Sequence, residues 1–265
     1  MLVIVIAIIA GLAGYYAGGG FRGPTTPGPP ARLIVGTNTP FPPFEFRNAT
    51  TDVIEGFDID LIGEVLDRIG YTSTEWDLFD FRDFGALLAA VGVNSVNIAV
   101  SAITMNGGIG ASRNGTMDFT SSYYESDQGV LQRTGDATNY CADDANCTAA
   151  ELDGLNVAVQ AGTSSEYWVA DNLPTANVQT FPDVTLVLQA LQTSAVDIVV
   201  IDKPAADGIV AGNPQFSTSG TIQTNELYSF AVANNDPYHL VPLMNNALAQ
   251  IRSDGTYDTL VAKWF

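Results

Sequence analysis

The stretch VTLVLQALQTSAVDIVVID at residues 184–202 joins an apolar helical pattern, a polar turn and a run of β-branched residues ending at Asp202. A helix followed by a buried strand is the repeating unit of α/β proteins. The unit occurs twice, because an earlier set of apolar residues recurs at the same spacing: Leu88, Ala90, Val96, Ile98 and Val100 match Leu188, Ala190, Val196, Ile198 and Val200. Two copies predict two lobes built alike, whose strand ends can face one another.

The same alternation of helix and strand continues along the rest of the chain. Apolar runs predict strands, and apolar residues at helical spacing predict helices, one of which we expect Asp58 to cap. This alternation predicts a mainly parallel sheet. The strands are predicted at 33–35, 96–103, 155–159 and 196–201, and the helices at 58–70, 87–91, 184–191 and from GTSSEYW at 162–168.

The N-terminus has a different composition. Residues 2–20 carry no charge, which is typical of a signal peptide or a membrane anchor at 1–20. Residues 21–31, FRGPTTPGPPA, resist helix and sheet and predict a semi-extended linker. We therefore expect the folded part to lie outside the cytoplasm, in the periplasm or at the cell surface, either secreted or anchored.

The charge balance limits the possible partners. The chain has 10 Lys+Arg against 29 Asp+Glu, a net charge of -19. Such an acidic surface repels nucleic-acid phosphates and anionic lipid, so neither is expected as a partner.

Two cysteines, Cys141 and Cys147, stand close together in NYCADDANC. In an exported chain this spacing favours a small-loop disulfide, with two free thiols as the alternative. The single histidine is distant in sequence, so a zinc site is not expected, and no cofactor is expected either.

Ligands of parallel sheets bind beyond the carboxyl ends of the strands, where this chain places charged and polar residues. An α-amino acid is a zwitterion, which leaves water only if both of its charges are met. Arg113 can pair with a carboxylate, and the N–H groups of Thr163 and Ser164 at a helix start can add donors. Asp202 can meet the ammonium group. The alternatives are a surface Arg113 paired with Asp118 and an Asp202 that only caps a helix.

The chain resembles the polar amino-acid solute-binding proteins of ABC transporters, the family of glutamine-, histidine- and arginine-binding proteins. The resemblance covers nearly everything after the linker, in the family's order. It rests on GTNTPFPPFEF (36–46), GFDIDL (56–61), DFGALLAAV (83–91), VNIAVSAIT (96–104), SRNGTMDFTSSYY (112–124), AVQAGTSSE (158–166), VDIVVID (196–202) and IRSDGTYDTLVAKWF (251–265).

The resemblance implies a role for each candidate site residue. The carboxylate of the amino acid would be held by Arg113 with Thr104 and Ser164, and Thr163 adds its N–H. The ammonium group would be held by Asp202 and the carbonyl of Ala102. The resemblance also implies that the ligand side chain lies between Phe41 and Phe84, with its tip read by Asn38 and Gln160.

Departures from the family pattern narrow the range of amino acids expected as the ligand. Relatives that bind cationic ligands usually carry Asp at the position of Asn38, so the neutral Asn38 argues against lysine or arginine. The matched side-chain pocket contains no second cation, which argues against glutamate or aspartate. Ile201 stands where the glutamine-binding relatives carry a polar ring, which argues against glutamine. Taken together, these departures favour a polar or small neutral amino acid. Residues 106–111, NGGIGA, look like an insertion that could displace Arg113.

The resemblance implies two Rossmann-like α/β lobes joined by a two-strand hinge. We expect lobe 1 at 32–122 and 228–265, and lobe 2 at 123–227. The expected protein is a monomer without catalytic residues that hands its amino acid to an ABC transporter permease, and stays at the membrane if residues 1–20 are uncleaved. The alternatives are a sensor for a separate signalling chain and an enzyme resembling the cyclohexadienyl dehydratases, with Glu166 or Asp118 as its acid.

Overall fold

A computed structural model describes residues 28–265. The predicted signal or anchor at 1–20 and the first part of the linker lie outside the described residues. Within 28–265, none of the helices has the length and apolar character needed to span a bilayer.

The described chain alternates strands and helices, as the repeated unit predicts. The strands are β1 (Leu33–Thr37), β2 (Phe46–Arg47), β3 (Ile54–Glu55), β4 (Trp76–Asp80), β5 (Ile98–Thr104), β6 (Met117–Phe119), β7 (Tyr124–Arg133), β8 (Asn156–Gln160), β9 (Asn177–Phe181), β10 (Ile198–Asp202) and β11 (Phe216–Ala233). The helices are α1 (Phe57–Arg68), α2 (Phe84–Gly92), α3 (Gly107–Arg113), α4 (Ala149–Leu152), α5 (Ser164–Asn172), α6 (Val184–Gln192), α7 (Lys203–Gly212), α8 (Leu240–Ser253) and α9 (Thr256–Trp264).

The two copies of the repeated unit begin in the same way. Asp83 caps α2 by accepting a hydrogen bond from the N–H of Ala86. Asp183 caps α6 through the N–H of Leu186. Each side chain satisfies an N–H group that the helix itself leaves without an acceptor. Both helices lead by a tight turn into a buried strand, β5 or β10.

The main sheet is mixed, so the prediction of a mainly parallel sheet is wrong. Its order is β4-β1-β5-β11-β7-β10-β8-β9, with β6 also paired to β11. The outer strands pair in parallel, β1 with β4 and β5, and β8 with β9 and β10. The central strands β7 and β11 pair antiparallel to each other and to β10 and β5. These two strands carry the chain from one parallel unit to the other and back. Each runs antiparallel to the strands beside it.

The apolar cores separate into two halves on either side of β7 and β11. Buried residues of one half come from 33–123 and 228–260. Those of the other half come from 130–222. Phe41 packs against a core of each half. The predicted two-lobed α/β fold is therefore present, with β7 and β11 running between the lobes.

Two local predictions have opposite outcomes. Cys141 and Cys147 form the predicted disulfide. Asp58 does not cap α1, because the helix is preceded by Gly56 and has no side-chain cap. Its carboxylate is instead buried and accepts hydrogen bonds from the N–H of Ala102 and the hydroxyl of Tyr123.

Candidate functional site

A cavity lies between the two lobes. It is lined by all the site residues predicted from the sequence: Asn38, Phe41, Phe84, Ala102, Thr104, Arg113, Gln160, Thr163, Ser164 and Asp202. Ile201, which the sequence comparison with the glutamine-binding relatives already used to choose the ligand, also lines it, and the lining residues that sequence reasoning missed are Ser101, Ser165, Val184, Val187 and Val200.

Arg113 is the last residue of α3, the short helix formed by the segment that looked like an insertion. The helix does not displace it, since the guanidinium is buried against the cavity. Nη1 donates to the carbonyl of Thr104 at 2.7 Å, and Nη2 donates to that of Gly162 at 2.8 Å. Nε finds no acceptor among the described residues. Arg113 is therefore not a surface partner of Asp118.

Burial lowers the pKa of Arg113 to about 10, although the charges of Glu226 and Asp202 oppose this. The guanidinium stays charged at neutral pH. It also lies 5.5 Å from the centroid of the Phe84 ring, within cation–π range. The cavity thus contains a fixed, buried cation with donor capacity remaining, which is the group that a ligand carboxylate requires.

Asp202 ends β10 and is buried. It stands before α7 without making a side-chain cap. Gln128 Nε2 donates to its Oδ1 at 2.5 Å, and the Tyr228 hydroxyl donates to Oδ2. Burial and the neighbouring charge of Glu226 raise the pKa of Asp202 from 3.8 to about 7. A cation placed in the cavity would stabilise the ionised carboxylate and reverse this shift.

Neutral donors lie at the start of α5. Thr163 is its N-cap residue and accepts a hydrogen bond from the N–H of Glu166. The N–H groups of Ser164 and Ser165 begin the helix and have no acceptor within it. Thr104, at the end of β5, bonds the Ser164 hydroxyl at 3.3 Å. This group of donors at a helix N-terminus favours an anionic ligand atom.

The remaining wall is neutral. Asn38 and Gln160 are both buried and bond one another, with Gln160 Nε2 donating to Asn38 Oδ1 at 2.8 Å. Asn38 Nδ2 donates to the carbonyl of Phe81 at 2.6 Å. The apolar part of the wall comes from Phe41, Phe84, Val184, Val187 and Ile201.

A buried hydrogen-bond network behind the cavity escaped sequence reasoning. Gln128 Nε2 donates to Glu226 Oε1 at 2.7 Å as well as to Asp202, and Gln128 Oε1 accepts from Ser165 at 2.6 Å. Glu226 also accepts from Thr104 at 2.6 Å. Gln128 and Glu226 lie on β7 and β11, where no motif or strand end marks them. The crossing strands thus connect directly to the cavity walls.

A cavity with a cation, an anion and a helix N-terminus can bind the two ends of one zwitterion.

In residues 28–265, no three His, Cys, Asp or Glu side chains cluster in a way that could hold a metal ion.

Comparisons with known proteins identify related chains. The family of bacterial extracellular solute-binding proteins, family 3, matches residues 33–265. A probable histidine-binding protein of Campylobacter jejuni is 28% identical over 233 residues, covering 88% of this chain and 84% of the relative. ABC transporter arginine-binding protein 1 of Escherichia coli is 25% identical over 238 residues, covering 88% and 90%. The solved structure of an ancestral arginine-binding protein bound to glutamine matches with a TM-score of 0.78 and 28% identity, covering 89% of this chain and 98% of that one.

Proposed function

The chain belongs to the bacterial extracellular solute-binding proteins of family 3, and we propose that it captures one L-amino acid in the cavity and delivers it to an ABC transporter. The observation that carries this proposal is the pairing of Arg113 and Asp202 in one cavity. Each charge is buried and lacks an opposite charge in direct contact, since neither residue forms an ion pair within residues 28–265. A zwitterion would supply both missing partners.

The two ends of the amino acid have distinct places. Its carboxylate would take the guanidinium of Arg113 and the N–H groups of Thr163 and Ser164, beside Thr104. Its ammonium would take Asp202 and the carbonyl of Ala102. Micromolar affinity corresponds to about 8 kcal/mol, which a clamped zwitterion with an apolar cover can supply.

The neutral wall indicates a polar or small neutral side chain. Asn38 and Gln160 offer amide groups, and Phe41 and Phe84 would cover the carbon skeleton. A charged ligand tip would be buried there without a partner, which costs several kcal/mol. The solved relative bound to glutamine holds such a neutral ligand.

Capture would proceed by closure of the two lobes, with lobe 1 at 32–122 and 228–265 and lobe 2 at 123–227. Contacts between the lobes include Gln160 with Asn38 and Arg113 with the carbonyl of Gly162. The proposed ligand contacts also come from both lobes. Because they exist together only in the closed form, the amino acid shifts the population toward closure, and the permease would recognise that shape.

The protein would act outside the cytoplasm, as a monomer and without catalysis. The relatives named above are binding proteins. Residues 1–20 would direct export and, if uncleaved, hold the protein at the membrane beside the permease.

A calorimetric screen of the common L-amino acids tests this function. We expect saturable one-to-one binding of a neutral amino acid, with no product formed from it or from prephenate or arogenate. Absence of binding across the screen would refute the proposal, and turnover of prephenate or arogenate would replace it with a dehydratase.

A further inference from the structure

Ala102 has an unusual backbone conformation in the cavity wall. Its φ is +43°, in the left-handed region that non-glycine residues adopt rarely and at an energetic cost. The register between β5 and β11 is irregular beside it, where the pairing passes from Ile103–Ser229 to Ala99–Ala231. Such bulges re-aim residues at functional sites. Here the consecutive residues Ser101 and Ala102 both line the cavity, although a regular strand would turn one of them away.

Asp58 lies directly behind this strained residue. Its Oδ2 accepts hydrogen bonds from the Ala102 N–H at 2.8 Å and from the Tyr123 hydroxyl at 2.6 Å. Its Oδ1 has no partner among the described residues, and the side chain is fully buried. A charge-assisted bond to a backbone N–H is stronger than a neutral one and can hold the peptide in the left-handed conformation.

A second buried acid is arranged in parallel. Glu45 accepts a hydrogen bond from the Ser101 hydroxyl at 2.5 Å. Burial and the charge of Asp58 raise the pKa of Glu45 well above its ordinary value. Glu45 contacts a side chain, whereas Asp58 contacts the backbone itself, so Asp58 is the residue that can set the direction of the Ala102 peptide.

Burying a carboxylate without a nearby cation costs free energy of folding, so we expect the Asp58 carboxylate to serve another purpose. Within the described residues, Asp58 forms no ion pair. Its cavity-side contact is the peptide of Ala102. The carboxylate therefore acts on the cavity through that peptide.

We propose that Asp58 is a positioning residue for the ammonium end of the bound amino acid. Its bond to the Ala102 N–H anchors the Ser101–Ala102 peptide and supports the left-handed backbone of Ala102, which in turn directs the carbonyl of Ala102, in the next peptide, to complement Asp202 as an ammonium acceptor. This inference rests on the proposed function and adds to it a residue that does not line the cavity.

The test compares an amino acid with its deaminated analogue. The probe is the L-amino acid that binds the wild-type protein most tightly in the screen, paired with the same molecule lacking its α-amino group, which for L-glutamine is glutaramate. Titration calorimetry at pH 7.5 gives both dissociation constants for each variant. The ratio of the two constants measures the contribution of the amino group.

We expect Asp58→Ala to weaken binding of the amino acid by about tenfold, the loss of one charge-assisted hydrogen bond, and to leave the analogue nearly unchanged. Asp58→Asn keeps an acceptor and should restore most of the affinity. The matched control is Asp60→Ala on the same helix, since Asp60 bonds Lys263 and Trp264 instead. It should leave both constants unchanged.

The outcomes separate the two proposals. If the wild-type protein binds no amino acid, the proposed function fails, and this inference fails with it. If the wild-type protein binds but Asp58→Ala keeps its affinity, or loses affinity for both molecules equally, Asp58 has only a structural role. Should Asp58→Ala not fold, Asp58→Ser removes the same reach to Ala102 with a smaller void, and the same ratio decides.

Discussion

Gln160 and Asn38 form a direct hydrogen bond, 2.8 Å from Nε2 to Oδ1, between strand ends that belong to different lobes. Asn38 follows β1 and Gln160 ends β8. The bond joins the lobes beside the apolar wall of the cavity. Because both side chains are uncharged amides that bond each other, this end of the cavity is also neutral.

The neutral pair predicts how one substitution changes ligand choice. Asn38→Asp places a carboxylate in the buried side-chain end of the cavity, where a cationic ligand tip would pair with it. We expect affinity for L-arginine or L-lysine to rise by about tenfold, and affinity for the neutral amino acid to fall. Titration calorimetry with both ligands measures the exchange.

Asn97→Asp is the matched control for this charge. Asn97 is also buried, but its Oδ1 accepts from the Ile34 N–H outside the cavity, and a carboxylate can accept the same bond. It should leave the ligand preference unchanged. Equal effects of the two substitutions would assign the change to net charge rather than to the position of Asn38.

A glycine of α7, Gly208, lies where the two lobes meet. A methyl group on Gly208 would lie 2.6 Å from the carbonyl oxygen of Pro42, which belongs to the opposite lobe. Since that oxygen is backbone, it cannot rotate away, and relief requires α7 and the Pro42 segment to move apart. Gly208→Ala should destabilise the closed form by about 1–3 kcal/mol and weaken amino-acid binding correspondingly.

Gly212 lies on the same helix, α7, and a methyl group there would meet nothing within 4 Å. Gly212→Ala should therefore bind with wild-type affinity. Scattering in solution without ligand and with saturating ligand would show whether Gly208→Ala remains more open. Wild-type affinity in Gly208→Ala would mean that closure does not require this contact.

The raised pKa of Asp202 predicts that the folded protein loses stability as the pH rises, the reverse of the usual effect of an acidic group. Its pKa is 3.8 in the ordinary state and about 7 when folded, so between these values the folded protein binds more protons than the unfolded chain. The free energy of unfolding must then fall as pH rises through this window. A single group contributes at most about 1.4 kcal/mol per pH unit.

We expect Asp202→Asn to flatten this slope measurably in urea unfolding of the ligand-free protein between pH 5 and pH 7. Comparison with the wild-type protein isolates Asp202 from the other acids. Parallel slopes in the two proteins would show that Asp202 titrates near its ordinary pKa.

The disulfide predicts a loss of stability without a loss of function. Cys141 and Cys147 close a short loop, with a sequence separation of 6, in the core that also contains Val157 and Val159. Replacing both with serine should lower the free energy of unfolding by about 2 kcal/mol, the loop-closure value for this length. Urea denaturation measures the loss. Amino-acid affinity should be unchanged, and a large drop would connect this loop to the site.

The ends of strands were the part of the site most accessible to sequence reasoning. Asn38, Thr104, Gln160 and Asp202 follow or end apolar runs, and the topology of parallel units places such ends together. Val184 and Val187 also line the cavity, but their spacing on a helix is that of ordinary core residues. Nothing local distinguishes a core valine from one that faces a cavity.

The crossing strands were the least accessible part. β7 and β11 make the sheet mixed, and they bring Gln128 and Glu226 against Asp202 and Thr104. Their roles depend on contacts between residues far apart in the chain. Asp58 was misread for the same reason: its position suits a helix cap, but its partners, Ala102 and Tyr123, come from a strand and a crossing segment.

The proposed binding mode requires Arg113 and Asp202 to hold opposite ends of one zwitterion. The most direct measurement is a set of calorimetric titrations of the wild-type protein, Arg113→Ala and Asp202→Ala. The titrants are the best-binding amino acid, its analogue without the α-amino group and its analogue without the α-carboxylate. We predict that each variant binds the amino acid more weakly, by on the order of 100-fold. Removing the amino group should cost less affinity in Asp202→Ala than in the wild-type protein, and removing the carboxylate should cost less in Arg113→Ala than in the wild-type protein. Wild-type affinity in either variant, or the same cost for both analogues in both variants, would contradict the account.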